Sequence, residues 1–150
     1  MPISQNFLKV CTECKAFCCK IVRPVITEQE RRDILNGGFR DYFINIGDGI
    51  YEISDGENDK CPYLKNDCTC EIQSVKPNLC RIWPIVPHIK NNKRGYLLIK
   101  CPLSKHIADK ELELAVKEAG GIPLLIIQHL WDISKEKKNL FKRFKYQEIG

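Results

Sequence analysis

The chain has 150 residues, of which 43% are hydrophobic and 29% charged, and its net charge is +5. Those values fit one globular domain, residues 1–150, with a real buried core, and they exclude a disordered or fibrous chain. The longest apolar stretch, Ile122–Ile127, is core-sized and far short of the roughly 20 residues of a membrane span.

From the N-terminus, residues 1–23 form a short first zone with four cysteines. The opening Met1 to Val10 lacks a basic start followed by an apolar run, so no export leader is expected. Thr27 and Glu30 stand at capping-box spacing and predict a helix that Asn36-Gly37-Gly38 ends. The second zone, 39–103, reads as short strands and loops. Ile50–Ser54 and Gly95–Lys100 are expected strands, and Asp55–Lys60 and Asn91–Lys93 are expected turns or loops. The third zone is expected to be helical. Asp109 opens a helix on Leu112, Ala115, Val116 and Ala119, and Gly120-Gly121 stops it. Pro123 suits the first turn of a last helix bearing Ile127, Leu130 and Trp131, whose apolar face resumes at Leu140, Phe141 and Phe144. The fold class read from this order is α+β: a small irregular domain with cysteine-rich loops, few short strands and C-terminal helices.

Nine cysteines stand beside three histidines and one methionine. An odd count fits full disulfide pairing poorly, and inside a reducing cell clustered cysteines are metal ligands or catalytic groups more often than disulfides. Redox-active or thermophile-type disulfides are the alternative. The first cluster is Cys11-Thr-Glu-Cys14-Lys-Ala-Phe-Cys18-Cys19. A two-residue gap lets both sulfurs reach one metal from a tight turn, and the adjacent Cys18 and Cys19 project apart. The second cluster is Cys61-Pro62-Tyr63-Leu64, Cys68-Thr69-Cys70-Glu71-Ile72 and Lys76-Pro77-Asn78-Leu79-Cys80-Arg81-Ile82-Trp83-Pro84, with Cys101-Pro102 following later. Cysteine–proline pairs recur in iron–sulfur loops.

These ordered blocks, spanning residues 11–102, resemble the YkgJ-type cysteine-cluster family of zinc- or iron-chelating domains, to which a domain of flagellin lysine methylases is related. The resemblance implies a metal-binding core at 11–102 with a helical extension at 103–150. Position by position it implies Cys11, Cys14, Cys18, Cys19, Cys61, Cys70, Cys80 and Cys101 as metal ligands, enough for two four-thiolate sites. Cys68 is extra to that pattern. Gln73 stands where the family usually has tyrosine, and Lys76 where arginine usually precedes proline. The expected cofactor is an iron–sulfur cluster of [4Fe–4S] type, with zinc as the alternative. The expected function is thiolate metal binding with a redox or accessory role; the alternatives are a zinc-stabilised interaction module and an enzyme akin to the lysine methylases. No catalytic residue can be named for that enzyme.

Arg81 and Lys76, beside the candidate ligands, either offset thiolate charge or make surface ion pairs. His88 reads as an ordinary polar residue of a strand or loop before it reads as a ligand. Trp83 and Trp131 read as core residues. The basic run Lys135–Lys145 reads as a solvated helix face, so strong nucleic-acid binding is not expected, and a protein partner would be of unknown kind. The expected location is the cytoplasm.

Overall fold

The computed structural model describes residues 24–54, 56, 60–67, 69–100, 104, 107–136 and 145–149. Strand β1 (Val25–Thr27) runs directly into helix α1 (Glu28–Asn36), and the reason lies in the junction. Thr27 Oγ1 accepts the Glu30 N–H at 3.2 Å while Glu30 Oε1 accepts the Thr27 N–H at 3.1 Å. This reciprocal box satisfies two donors that a helix start leaves open. Gly37 closes the helix by donating to Asp33 and Ile34 carbonyls, and Gly38 follows at φ 87°. Arg31 then ties α1 outward, to Asp41 at 2.8 Å and over the Tyr51 ring at 4.9 Å.

Strands β2 (Phe43–Gly47) and β3 (Ile50–Ile53) form a hairpin through Asp48-Gly49, both at positive φ, as a two-residue turn of the primed type demands. The sheet order is β1-β3-β2, all antiparallel. Ile50 and Ile53 lie three apart and so point to opposite faces of β3. Ile50 belongs to the larger core and Ile53 to a smaller one, so this sheet stands between them.

A 3₁₀ turn (Gln73–Val75) and the single-turn helix α2 (Asn78–Arg81) lead through a cis Trp83–Pro84 bond into β4 (Ile85–Lys90). Strand β4 turns at Asn91-Asn92, both at positive φ, into β5 (Lys93–Lys100). Helices α3 (Asp109–Ala119) and α4 (Leu124–Glu136) follow, then β6 (Lys145–Ile149), which pairs with β5 to give the second sheet, order β4-β5-β6. The larger core gathers Ile82, Ile85, Val86, Leu97 and Ile99 with Ala115, Ala119, Ile122, Ile126, Ile127 and Leu130 of the helices and the turn between them. Arg94 locks that turn: its Nη1 donates to the Ala119 carbonyl at 2.9 Å, at the end of α3, and to the Ile122 carbonyl at 2.6 Å, in the turn that follows.

The architecture is α+β, as the sequence leads one to expect. One expectation is corrected. Lys145 does not continue a helical basic face, because α4 ends at Glu136 and Lys145 opens β6, opposite Lys100. Residues 137–144, with Leu140, Phe141 and Phe144, lie outside the described residues. Among the described residues no helix is long and apolar enough to cross a membrane.

Candidate metal centre

The second cysteine cluster is shaped by a short self-bonded loop. Pro62 fits the second position of the turn at 61–64, where its fixed φ is an advantage, and the Leu64 N–H donates to the Cys61 carbonyl at 3.0 Å. Leu64 and Cys70 then face each other in an isolated antiparallel bridge. Lys65 N–H to Thr69 O and Glu71 N–H to Tyr63 O, each 2.8 Å, close the hairpin. Asp67 turns its tip by accepting from the Thr69 N–H at 3.1 Å and from the Thr69 hydroxyl, a local Asx motif. Just upstream, a Cβ at Gly56 would lie 2.9 Å from the Lys60 carbonyl and 3.1 Å from Pro62 Cα, so only glycine permits that approach to Cys61.

The hairpin brings Cys61 and Cys70, nine positions apart, to the same patch. Both are half-buried and pack against the smaller core of Ile34, Ile53, Tyr63 and Ile72. Tyr63 is fully buried. Its hydroxyl donates to the Arg40 carbonyl, and the Tyr42 ring meets it edge-on at 5.1 Å. Burial pushes the Tyr63 hydroxyl up to about 12, and the nearby Asp41 and Cys61 charges push the same way. A neutral phenol therefore borders Cys61 across the physiological range.

Cys80 lies ten residues beyond Cys70, half-buried on α2. Pro77, fully buried, starts that turn but offers no side-chain cap. The acceptor comes from elsewhere: Glu30 Oε2 takes the Asn78 N–H at 2.7 Å, across 48 positions of sequence. Glu30 is read from sequence only as the capping partner of Thr27, and nothing in local spacing signals this second bond.

Cys11, Cys14, Cys18, Cys19 and Cys101, and the supernumerary Cys68, lie outside the described residues. Among the described residues, no three His, Cys, Asp or Glu side chains gather into a group able to hold a metal ion. Cys61, Cys70 and Cys80 thus do not come together as a three-thiol group among the described residues. Their chemistry suits a soft or borderline metal, since the donors are thiols.

The other candidates take structural places. Arg81 reaches α3, with Nη2 3.3 Å from Glu118 Oε1, and also donates to Asn78 Oδ1 at 3.2 Å. His88 sits on β4 opposite Gly95, its ring edge-on to Trp131 at 6.5 Å, and burial lowers its pKa. Trp131 Nε1 donates to the Pro87 carbonyl at 2.8 Å, and both Trp83 and Trp131 pack on the larger core. Gln73, where the family usually has tyrosine, is half-buried in the 3₁₀ turn beyond Cys70.

No curated protein and no solved structure matches the chain. A family model does, over residues 10–102, and it is that of CxxCxxCC, described as a putative zinc- or iron-chelating domain. The match takes in both cysteine clusters, Cys101 and more than half of the 150 residues, and the chain therefore belongs to the CxxCxxCC family.

Proposed function

We propose that the protein binds metal through clustered cysteine thiolates, as an iron–sulfur protein with a redox or accessory role. The observation that carries this reading is the hairpin that packs both Cys61 and Cys70 against the smaller core. Two half-buried thiols held by backbone bonds are prepared for a shared ligand, and the family is one of zinc- or iron-chelating domains. Because Cys61, Cys70 and Cys80 do not gather into a site among the described residues, further donors come from Cys11, Cys14, Cys18, Cys19 and Cys101. When bound, an iron–sulfur centre would supply electron transfer or a structural clamp. The reading carries a reducing compartment with it, the cytoplasm, where thiols are kept reduced.

The test is anaerobic purification followed by reconstitution with iron and sulfide. A broad absorbance near ~400 nm with stoichiometric iron and acid-labile sulfide is expected. A colourless protein that keeps stoichiometric zinc through the same procedure, and in which no cluster can be built, would replace the iron–sulfur reading with a zinc-chelating module.

A further inference from the structure

We infer that Glu30 is a positioning residue for the candidate ligand Cys80, and that one face of α1 sets the spacing between Cys80 and the Cys61–Cys70 hairpin. This rests on the metal-binding reading above. The Glu30 carboxylate divides its two oxygens between two chain segments. Oε1 accepts from Thr27 at the start of its own helix, and Oε2 accepts from Asn78 at the start of α2. Bonds from a backbone N–H to an ionised carboxylate are among the stronger ones in proteins.

Helix α2 needs this help. It is four residues long, and its N-cap is a proline with no side-chain oxygen to offer. A single turn has little helical stability of its own, since nucleation costs more than so few bonds return. Cys80 is the third residue of that turn, so whatever holds Asn78 also holds the sulfur.

One turn further along α1 stands Ile34, fully buried in the smaller core against which Cys61 and Cys70 pack. Residues four apart on a helix are neighbours, with Cβ atoms roughly 6 Å apart. Glu30 and Ile34 therefore form two adjacent anchors on one rigid face. One fastens the turn of Cys80 and the other underlies the hairpin of Cys61 and Cys70. Helix α1 carries no cysteine, yet one face of it bears on both the turn of Cys80 and the hairpin of Cys61 and Cys70.

The probe is cobalt(II), titrated anaerobically into the full-length protein, read by its thiolate-to-metal charge-transfer absorption. Loss of a group that orients metal ligands typically lowers affinity about 10–100-fold, and E30A is expected to fall in that range with a weakened charge-transfer band. E30Q keeps one acceptor oxygen where the carboxylate offers two to Thr27 and Asn78, and should lie between E30A and the wild type. T27A is the control: it removes the side-chain cap of α1 but leaves the Oε2 bond to Asn78, so it should lower stability while binding cobalt as the wild type does. Amide exchange at Asn78 should quicken in E30A and E30Q and not in T27A. If E30A misfolds, E30Q and the Asn78 amide still decide the matter. Wild-type cobalt binding by E30A and E30Q, or equal loss in T27A and E30Q, would overturn the positioning role alone. Wild-type binding by C80S would remove Cys80 from the ligand set and overturn the reading on which this one rests.

Discussion

Tyr63 is a polar side chain at the centre of an apolar cluster, and it remains there because its hydroxyl has one dedicated acceptor, the Arg40 carbonyl. Tyr63→Phe removes the donor and leaves that carbonyl to find another partner, at a cost of about 1 kcal/mol near neutral pH. The same residue sets an alkaline limit. Its folded-state value of about 12 exceeds the ordinary 10.0. Its contribution is therefore fully present below the unfolded value and is lost as the pH climbs from there through the folded one. Two units correspond to about 2–3 kcal/mol. Urea unfolding of the metal-free protein, compared near pH 8 and near pH 11, should show a smaller alkaline decline in Tyr63→Phe than in the wild type. Equal declines would mean that Tyr63 ionises as an exposed tyrosine does.

Between elements, His88 on β4 fits closely over Gly95 on β5. A Cβ at Gly95 would lie 2.5 Å from His88 Nε2 and 2.9 Å from Cε1, and Trp131 borders the ring on another side. Gly95→Ala should destabilise by about 1–3 kcal/mol, the usual cost of overpacking. Adding His88→Ala should recover part of that loss, a coupling that denaturant midpoints of the four proteins in the cycle would reveal. Strictly additive losses would mean that the ring moves aside freely. The same region shows what the sequence could and could not disclose. The start of α1 is legible because its capping box is local, and the Asn91-Asn92 turn because asparagine tolerates positive φ. Strand β4 is obscured by Pro87, which an edge strand tolerates because the missing N–H need not face a neighbour. Strand β6 is obscured because its partner, Lys100 back to Tyr96, lies 45 to 53 positions away and its residues carry no strong alternation. At the candidate site the cysteines announce themselves by spacing. The Glu30–Asn78 bond does not, since only the folded chain brings positions 48 apart together.

At the scale of the whole molecule, two cores share one small sheet, with Ile50 and Ile53 on its opposite faces. The smaller core has four fully buried members and borders the candidate ligands, so on the metal-binding reading it is the part whose stability should depend most on a metal. On the metal-binding reading, candidate donors from Cys11 to Cys101 close loops of up to 90 positions. Removing the metal with a strong chelator, or Cys80→Ser, should lower Tm by many degrees, because metal affinity is in part folding free energy. Calorimetry before and after verified metal removal is the measurement, and an unchanged melt would show that the two cores are sufficient by themselves.

The second sheet has a consequence for the order in which the protein is made. Strand β4 meets β5 at once through a two-residue turn, but the other side of β5 waits for β6. About 45 residues, including both long helices, leave the ribosome between Lys100 and Lys145. Throughout that interval the nascent chain presents a bare strand edge carrying Leu97 and Ile99, the kind of edge that recruits neighbouring chains. The last strand thus acts as a seal, and the growing polypeptide is most vulnerable to self-association just before it arrives.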